Sequence, residues 1–214
     1  MYFGADEAGK GPVLGPMVAA CVVAPEAALP DGIDDSKRLA PVRREALAAS
    51  LRAHPDVTLG VARIPVARID APGTDMNSLT VAAHAEAIAD AGVPGRGLSG
   101  FVDAGDVDAA RFGRRVAAAL DAPVEVRPEH RADETYPHVA AASVVAKVER
   151  DARVARIAEE YGEVGSGYPS DPTTRAFLRE YVREHGALPA CARSSWKTCD
   201  DVLAAAEQSS LDAF

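Results

Sequence analysis

The hydrophobic and polar positions along the chain predict short strands interspersed with helices. Met17 to Val23 is a continuous apolar run, typical of a buried strand, and the β-like run Tyr2 to Asp6 precedes it. The loop between them, Gly9 to Pro16, is rich in glycine and proline. Because this connection is so short, we expect the two strands to form an antiparallel pair.

Later segments complete the set of predicted elements. Strands are expected at Thr58 to Ile64, Gly100 to Asp103 and Val124 to Arg127, and helices at Pro41 to Ala53, Asn77 to Ala91, Val107 to Leu120, Val139 to about Tyr161, Pro172 to His185 and Asp200 to Gln208. Asp171 is well placed as an N-cap before Pro172, and Gly92 as the residue that ends a helix. The succession predicts an α/β fold, a mixed β-sheet flanked by helices, with a helical C-terminal portion from about 139 to 208. No repeat or linker interrupts the pattern, so we expect one domain over residues 1–214.

The composition is that of a globular protein. The chain has 214 residues, of which 48% are apolar and 26% charged. No stretch approaches the roughly 18 consecutive apolar residues of a membrane span, and the N-terminus has no basic region followed by an apolar signal core. We therefore expect a cytoplasmic protein that does not associate with membranes. The three cysteines lack metal-ligand spacing and are expected to be reduced and structural.

The formal net charge of −9 argues at first against a nucleic-acid partner. However, only four of the 23 basic residues are lysine, and the rest are arginine. Such a surface indicates a high-salt cytosol or a GC-rich genome. In concentrated salt a basic patch steers ligands weakly, because the Debye length falls to a few Å. Short-range contacts through metal ions, arginine and backbone amides remain effective, so the net charge does not exclude nucleic acid.

Acidic side chains at strand ends are candidates for a metal site. Asp6 and Glu7 lie at the end of the first strand, Asp103 closes a short apolar run, and Asp133 lies in the loop before the long buried helix. Hydrolysis of a phosphodiester with two divalent metals requires several converging acids, and Mg²⁺ prefers oxygen ligands. Neighbouring residues of a strand point to opposite faces, so Asp6 and Glu7 can share a site only if the strand ends or twists there. The alternative is that these acids, like most of the 32 in the chain, are solvated surface residues.

The turn Gly9-Lys10-Gly11 can bring backbone amides close to a phosphate or a sugar, because glycine has no Cβ to obstruct the approach. A tight turn between two strands would also require glycine. The lysines add to the functional interpretation, since residues retained on a lysine-poor surface are candidates for contacting phosphate or fixing an acid. They are Lys10, Lys37, Lys147 and Lys197.

These features belong to a series of motifs that spans residues 1 to about 200. In chain order the motifs are Asp6 to Gly11, Asp35-Ser36-Lys37, Val102-Asp103-Ala104, Ala132 to Pro137, Ala141 to Lys147 with Arg150-Asp151, Gly165 to Asp171, and Ser195 to Thr198. Together they closely resemble the ribonuclease HII family, and its archaeal form in particular.

The resemblance implies a ribonuclease H-like fold and a metal-dependent endonuclease with roles in ribonucleotide excision repair and DNA replication. The four catalytic, metal-binding acids of the family match Asp6, Glu7, Asp103 and Asp133. The metal would be Mn²⁺ or Mg²⁺, and the substrate an RNA–DNA hybrid or duplex DNA that contains ribonucleotides. Cleavage is expected on the 5′ side of a ribonucleotide, leaving a 3′-hydroxyl and a 5′-phosphate.

The family's substrate-binding residues are carried over in the same way. The implied set comprises Gly9, Lys10, Gly11, Lys37, Lys147 and Tyr168. The glycine turn would recognise the 2′-hydroxyl, and Tyr168 would stack on the sugar beside the RNA–DNA junction. Arginine is commoner than lysine in the family at the position of Lys10. Because no further domain precedes Asp6 in the sequence, we expect ribonuclease HII rather than ribonuclease HIII.

Other interpretations stay open at this stage. A junction resolvase or integrase would also use converging acids, but it would not need the glycine turn or Tyr168. A nucleic-acid-binding module without catalysis and a small-molecule phosphatase are further alternatives. None of the five histidines is assigned to catalysis. We expect a monomer, and a sliding clamp is a candidate partner through the C-terminal tail, Ser209 to Phe214, although fraying of this terminus is the stronger expectation.

Overall fold

The computed structural model describes residues 1–33 and 39–211, without the side chains of residues 209–211. Its strands are β1 (Tyr2–Ala8), β2 (Met17–Ala24), β3 (Thr58–Ile64), β4 (Ser99–Asp103) and β5 (Glu125–Glu129). Its α-helices are α1 (Pro41–Ala53), α2 (Val66–Ile69), α3 (Met76–Asp90), α4 (Ala109–Ala118), α5 (Pro137–Tyr161), α6 (Pro172–His185) and α7 (Lys197–Leu211). Lys37, one of the predicted substrate-binding residues, lies outside the described residues.

Elements with strong local signals have the predicted boundaries. Helix α1 has a proline in its first turn, and α6 has Asp171 as its N-cap and Gly186, at φ 69°, after its last turn. Both helices and β3 begin and end at the predicted residues. The predicted last helix starts too late, because the structure begins α7 at Lys197 rather than at Asp200. Strand β1 continues two residues beyond Asp6, because its ladder with β2 extends to Ala8.

The five strands form one mixed sheet in the order β3-β2-β1-β4-β5. Strand β1 is antiparallel to β2, as predicted, and parallel to β4, which is in turn parallel to β5. Parallel neighbours have their carboxyl ends at the same edge of the sheet. The register pairs Ala5 with Val102, so Asp6 and Asp103 are the next residues on adjacent strands.

Two compact units divide the chain. The first unit comprises residues 1–10, 17–63 and 75–150, and it contains the sheet. In its core, α1 and the first half of α5 pack with side chains of β2 such as Ala20 and Val22. That half of α5 is buried as predicted, and it approaches β1 closely, since a Cβ added to Gly4 would lie 2.3 Å from the carbonyl carbon of His138.

The second unit comprises residues 11–16, 64–74 and 151–214. Its core joins Val13 and Leu14 to apolar side chains of α6 and α7, including Leu178 and Val202. Asp70 fixes the segment before α7, because its carboxylate accepts hydrogen bonds from the backbone amides of Ser194 and Ser195 at 2.7 and 3.1 Å. Within residues 1–33 and 39–211, no helix is both long and apolar enough to cross a membrane.

Candidate active site

Asp6 is a buried carboxylate near the end of β1. Its side chain is 5% exposed, and its Oδ1 accepts the amide proton of Glu7 at 2.7 Å. Burial raises the pKa of Asp6 well above its usual range, and the negative charges of Glu7 and then Asp103 raise it further. Hydrogen bonds from the Ser143 hydroxyl and the Glu7 amide oppose this shift. Several carboxylates therefore lie within electrostatic range of one another around Asp6.

Glu7 has a different set of neighbours, because the strand continues in regular pairing. Asp6 pairs with Ala20 and Glu7 with Ala19, so the ladder with β2 continues past the acid pair to Ala8 and does not end there. The carboxylates consequently have partners on different helices. Asp6 is hydrogen-bonded by Ser143 of α5, whereas Glu7 Oε2 lies 2.7 Å from Nε2 of His84 in α3.

Asp103 and Asp133 are connected through the backbone. Asp103 is the last residue of β4, and its Oδ1 accepts a hydrogen bond from the Ala132 amide at 2.8 Å. Ala132 begins the 3₁₀ turn Ala132–Glu134, and Asp133, the next residue, is 3% exposed. The turn follows Arg131, which has a left-handed conformation with φ 60°. Asp133 is thus held in an ordered turn beside Asp103 rather than in an irregular loop.

The chemistry of these side chains fits a hard divalent cation. All four candidate ligands are carboxylates, and two of them are buried. A bound cation would offset both the burial of the negative charge and the repulsion that together raise the pKa of Asp6. No group of three or more histidine, cysteine, aspartate or glutamate side chains in the described part of the chain is arranged to hold a metal ion. Mg²⁺ commonly binds through one or two carboxylates together with water and substrate phosphates, so a prearranged cage of three acids is not required.

The two glycines of the turn after β1 differ, since Gly9 is buried in a left-handed conformation and Gly11 is exposed. Gly9 is buried and has φ 88°, a conformation that favours glycine. The ammonium group of Lys10 donates to the carbonyl oxygen of Gly105 and to Asn77 Oδ1 at 3.2 Å. The Lys10 side chain therefore contacts neutral oxygen acceptors within the first unit. The role predicted for this turn towards a substrate concerns its backbone and is separate from these contacts.

Gly11 lies in the second unit, next to two aromatic residues. It is exposed, and a Cβ added there would lie 3.9 Å from Cε1 of Tyr168. Trp196 Nε1 donates to the Gly11 carbonyl at 3.3 Å, and the Arg193 guanidinium packs 4.9 Å from the centre of the Trp196 ring. Tyr168 is 38% exposed, as expected for a residue in a loop of glycine and proline.

The remaining lysines have different environments. Lys147 is half-buried on α5, one turn after Ser143, so the two residues share a side of the helix. Lys197 is an exposed residue that forms an ion pair with Asp201 at 2.6 Å. The retention of a lysine on this chain therefore does not by itself mark a functional position, because the ion pair of Lys197 is a surface contact along α7.

Sequence reasoning missed several residues that contact the predicted site residues. His84, Asn77 and Ser143 contact Glu7, Lys10 and Asp6, respectively. A signal for the first two was present, because Asn77, Thr80 and His84 are polar residues at helical spacing in an alanine-rich segment. The contact of His84 with Glu7 spans 77 residues, and no local pattern specifies that distance.

Comparison with known proteins identifies relatives over the full chain. A curated ribonuclease HII of Haloarcula marismortui is 64% identical over 214 residues, which is 100% of both chains. The crystal structure of ribonuclease H2 from Pyrococcus horikoshii OT3 matches with a TM-score of 0.86 and 36% identity, covering 97% of this chain and 99% of that one. The ribonuclease HII in a solved complex with PCNA from Archaeoglobus fulgidus matches with a TM-score of 0.83 and 38% identity, over 94% and 96% of the two chains.

These similarities agree with the order of the motifs and with the mixed sheet that carries the acids. A sequence model of the family described as ribonuclease HII matches residues 3–199. That range includes all four candidate acids, the glycine turn and Tyr168. The chain belongs to the ribonuclease HII family.

Proposed function

We propose that this chain hydrolyses the phosphodiester bond on the 5′ side of a ribonucleotide, in RNA–DNA hybrids and at single ribonucleotides within duplex DNA. The products would carry a 3′-hydroxyl and a 5′-phosphate. As a member of the ribonuclease HII family, the chain is a metal-dependent endoribonuclease that acts on RNA–DNA hybrids. The position of the cut and the roles of individual residues are the proposed steps beyond that statement.

The catalytic carboxylates are proposed to be Asp6, Glu7, Asp103 and Asp133. Divalent metal bound by them would supply an activated water and stabilise the leaving 3′-oxygen. The protein's own contribution is to hold the carboxylates in position. The Ala132 amide fixes Asp103, and the Ser143 hydroxyl fixes Asp6. Both Mg²⁺ and Mn²⁺ suit an all-oxygen set of ligands, so we propose that either ion supports the reaction.

Substrate recognition is assigned to backbone and aromatic groups. We propose that the turn Gly9, Lys10 and Gly11 presents backbone atoms to the 2′-hydroxyl, which distinguishes RNA from DNA. Tyr168 would stack on the neighbouring sugar, and its exposure of 38% supports this assignment. Lys147, with Lys37 from outside the described residues, is proposed to contact phosphates.

One observation carries the proposal. Asp6 is buried, yet the negative charges of Glu7 and Asp103 act on it at the carboxyl ends of the parallel strands β1 and β4. Burying carboxylates this close together lowers the stability of the fold. Such a group of acids is therefore expected where a functional role requires it. Binding a cation for phosphodiester hydrolysis is such a role, and it is the role that the family relationship implies.

The partners of the enzyme form a separate part of the proposal. The Archaeoglobus fulgidus relative was solved in complex with PCNA. We propose a sliding clamp as a partner of this chain as well, bound through the tail Ser209 to Phe214, whose side chains lie outside the described residues. A monomeric state and a cytoplasmic location stay predictions.

A labelled duplex with one ribonucleotide tests the proposed cleavage. It is incubated with Mg²⁺ or Mn²⁺ at several salt concentrations, beside an otherwise identical all-deoxy duplex and a duplex with a 2′-O-methyl nucleotide. We expect one cut, 5′ to the ribonucleotide, with a 3′ end that a DNA polymerase can extend. A site that hydrogen-bonds the 2′-hydroxyl should reject the all-deoxy duplex by roughly 10⁴-fold. Equal cutting of the ribonucleotide-containing and all-deoxy duplexes, or cutting in the presence of chelator, would contradict the proposal.

A further inference from the structure

Helix α3 carries a row of polar side chains along one of its sides. Asn77, Thr80 and His84 follow one another at intervals of three and four residues, so they share a face of the helix. Asn77 contacts the Lys10 ammonium, Thr80 and His84 are fully buried, and His84 contacts Glu7. This face of α3 therefore lies against Glu7 and Lys10, both of which belong to the first unit.

The imidazole of His84 is fixed between an aromatic ring and a carboxylate. Its ring meets the ring of Phe112 edge to face, with centroids 5.1 Å apart and an interplanar angle of 86°. Nε2 lies 2.7 Å from Glu7 Oε2, and Nδ1 has no hydrogen-bond partner in the part of the chain that the structure describes. The polar contact observed for this buried ring is thus the one to Glu7.

The second oxygen of Glu7 lies beside a closely packed turn. A Cβ added to Gly105 would lie 3.2 Å from Glu7 Oε1 and 2.6 Å from Thr80 Cγ2. Gly105 follows Asp103 by two residues, and its carbonyl accepts a hydrogen bond from Lys10. The Glu7 carboxylate therefore has the imidazole of His84 at one oxygen and the segment that follows β4 near the other.

We propose that His84 is a positioning residue. Its Nε2–H group donates a hydrogen bond to Glu7 Oε2 and so orients Oε1 for binding a divalent cation. This inference rests on the proposed function, in which Glu7 is a metal ligand. Carboxylates that bind metals are usually held by hydrogen bonds from outer residues, and losing such a partner typically weakens metal affinity about 10–100-fold. His84 would act on the metal through Glu7 alone.

The alternative is a histidine that only fills the core. His138 shows how such a residue behaves here, because it is also buried in the first unit and its Nε2 lies 3.0 Å from the carbonyl oxygen of Ala24. For a histidine that only fills the core, a neutral acceptor such as this carbonyl oxygen is sufficient. His84 instead meets a carboxylate that is 11% exposed, and hydrogen bonds to charged groups are stronger than neutral ones. His138 is therefore the matched control for His84.

The test uses two substitutions of similar length that differ in the donor. His84→Gln keeps an N–H group within reach of Glu7, and His84→Met removes it. Binding of Mn²⁺ alone is measured by calorimetry on the full chain, with thermal unfolding as a check on folding. We expect His84→Met to raise the dissociation constant for Mn²⁺ about 10–100-fold, while His84→Gln and His138→Gln stay close to the wild type. If His84→Met does not fold, His84→Phe serves as the variant without a donor.

Kinetics separate positioning from a structural role. We expect the Mn²⁺ concentration for half-maximal cleavage to rise in His84→Met by the same factor as the dissociation constant. The KM for the duplex at saturating Mn²⁺ should not change. A folded His84→Met with wild-type affinity for Mn²⁺ would overturn the inference, as would equal losses in the Met and Gln variants. If the wild type itself neither binds Mn²⁺ nor cuts the duplex, the proposed function fails, and the role of His84 fails with it.

Discussion

Individual residues of the glycine turn have separate physical roles. Gly9 is buried with φ 88°, so its backbone conformation is the reason for glycine there. Gly11 is exposed, and an added Cβ would meet only Tyr168, at an ordinary contact distance of 3.9 Å. Nothing in the packing of the second unit therefore requires glycine at position 11, in agreement with its proposed place beside the substrate.

Alanine substitutions should separate these two roles. Gly9→Ala is expected to destabilise the fold by about 1–2 kcal/mol, because a side chain at positive φ is strained. Gly11→Ala should leave the melting temperature unchanged but lower kcat/KM on the single-ribonucleotide duplex on the order of 10²-fold, because the Cβ displaces the substrate. Scanning fluorimetry and initial rates measure the two effects. A stable Gly11→Ala enzyme with full activity would remove Gly11 from the substrate-binding set.

The sequence identifies acids more readily than their supports. Asp6 and Asp103 each follow a short apolar run, so they could be identified as candidates from the local sequence. Asp133 required the resemblance to a family, because an aspartate before a helix is common. His84 was left unassigned, because its relation to Glu7 exists only once α3 packs against β1. Residue roles that depend on such long-range contacts cannot be derived from periodicity.

Among the elements, helices with strong end signals were predicted best. Prolines and an N-cap determine where α1 and α6 start, and these are properties of a few adjacent residues. The length of β1 depends on its pairing with β2, so its extension to Ala8 was missed. That extension changes the site, because regular pairing at Asp6 and Glu7 gives the two acids different helical partners.

The N-cap of α6 provides a prediction for pH dependence. Asp171 accepts hydrogen bonds from the Ser166 and Thr173 amides at 2.6 and 3.0 Å. These contacts, led by the Ser166 amide, lower the pKa of Asp171 to about 2. A carboxyl group with a depressed pKa stabilises the fold fully above its unfolded pKa of about 3.9. That contribution is lost as the pH falls from about 4 to about 2.

Urea unfolding of Asp171→Ala between pH 6 and pH 2 measures this contribution. We expect a lower urea midpoint than the wild type at pH 6, and a difference that shrinks as the pH approaches 2. Glu163→Ala, which removes an exposed acid of the same unit, should show no such trend. A difference for Asp171→Ala that does not vary with pH would mean that the charge of Asp171 is not the stabilising feature.

At the scale of the whole molecule, fold class and family followed from the sequence. The mixed sheet with flanking helices is confirmed, and the motifs lie in the order expected of the family. The expectation of one catalytic domain stays a prediction, since contacts divide the chain into two compact units. The formal charge of −9 did not exclude a nuclease, because metal-bound carboxylates and backbone groups do not depend on a basic surface.

The central claim is that four carboxylates form the metal centre that cuts the RNA strand. Its most direct test is the single-turnover rate of Asp133→Asn on the single-ribonucleotide duplex in Mn²⁺. The matched control is Asp121→Asn, which alters an exposed aspartate of the same unit. We predict that Asp133→Asn folds but cuts roughly 10²–10³-fold more slowly, equivalent to several kcal/mol of lost charge stabilisation, and that Asp121→Asn cuts at the wild-type rate. A folded Asp133→Asn enzyme that cuts as fast as the control would contradict the claim.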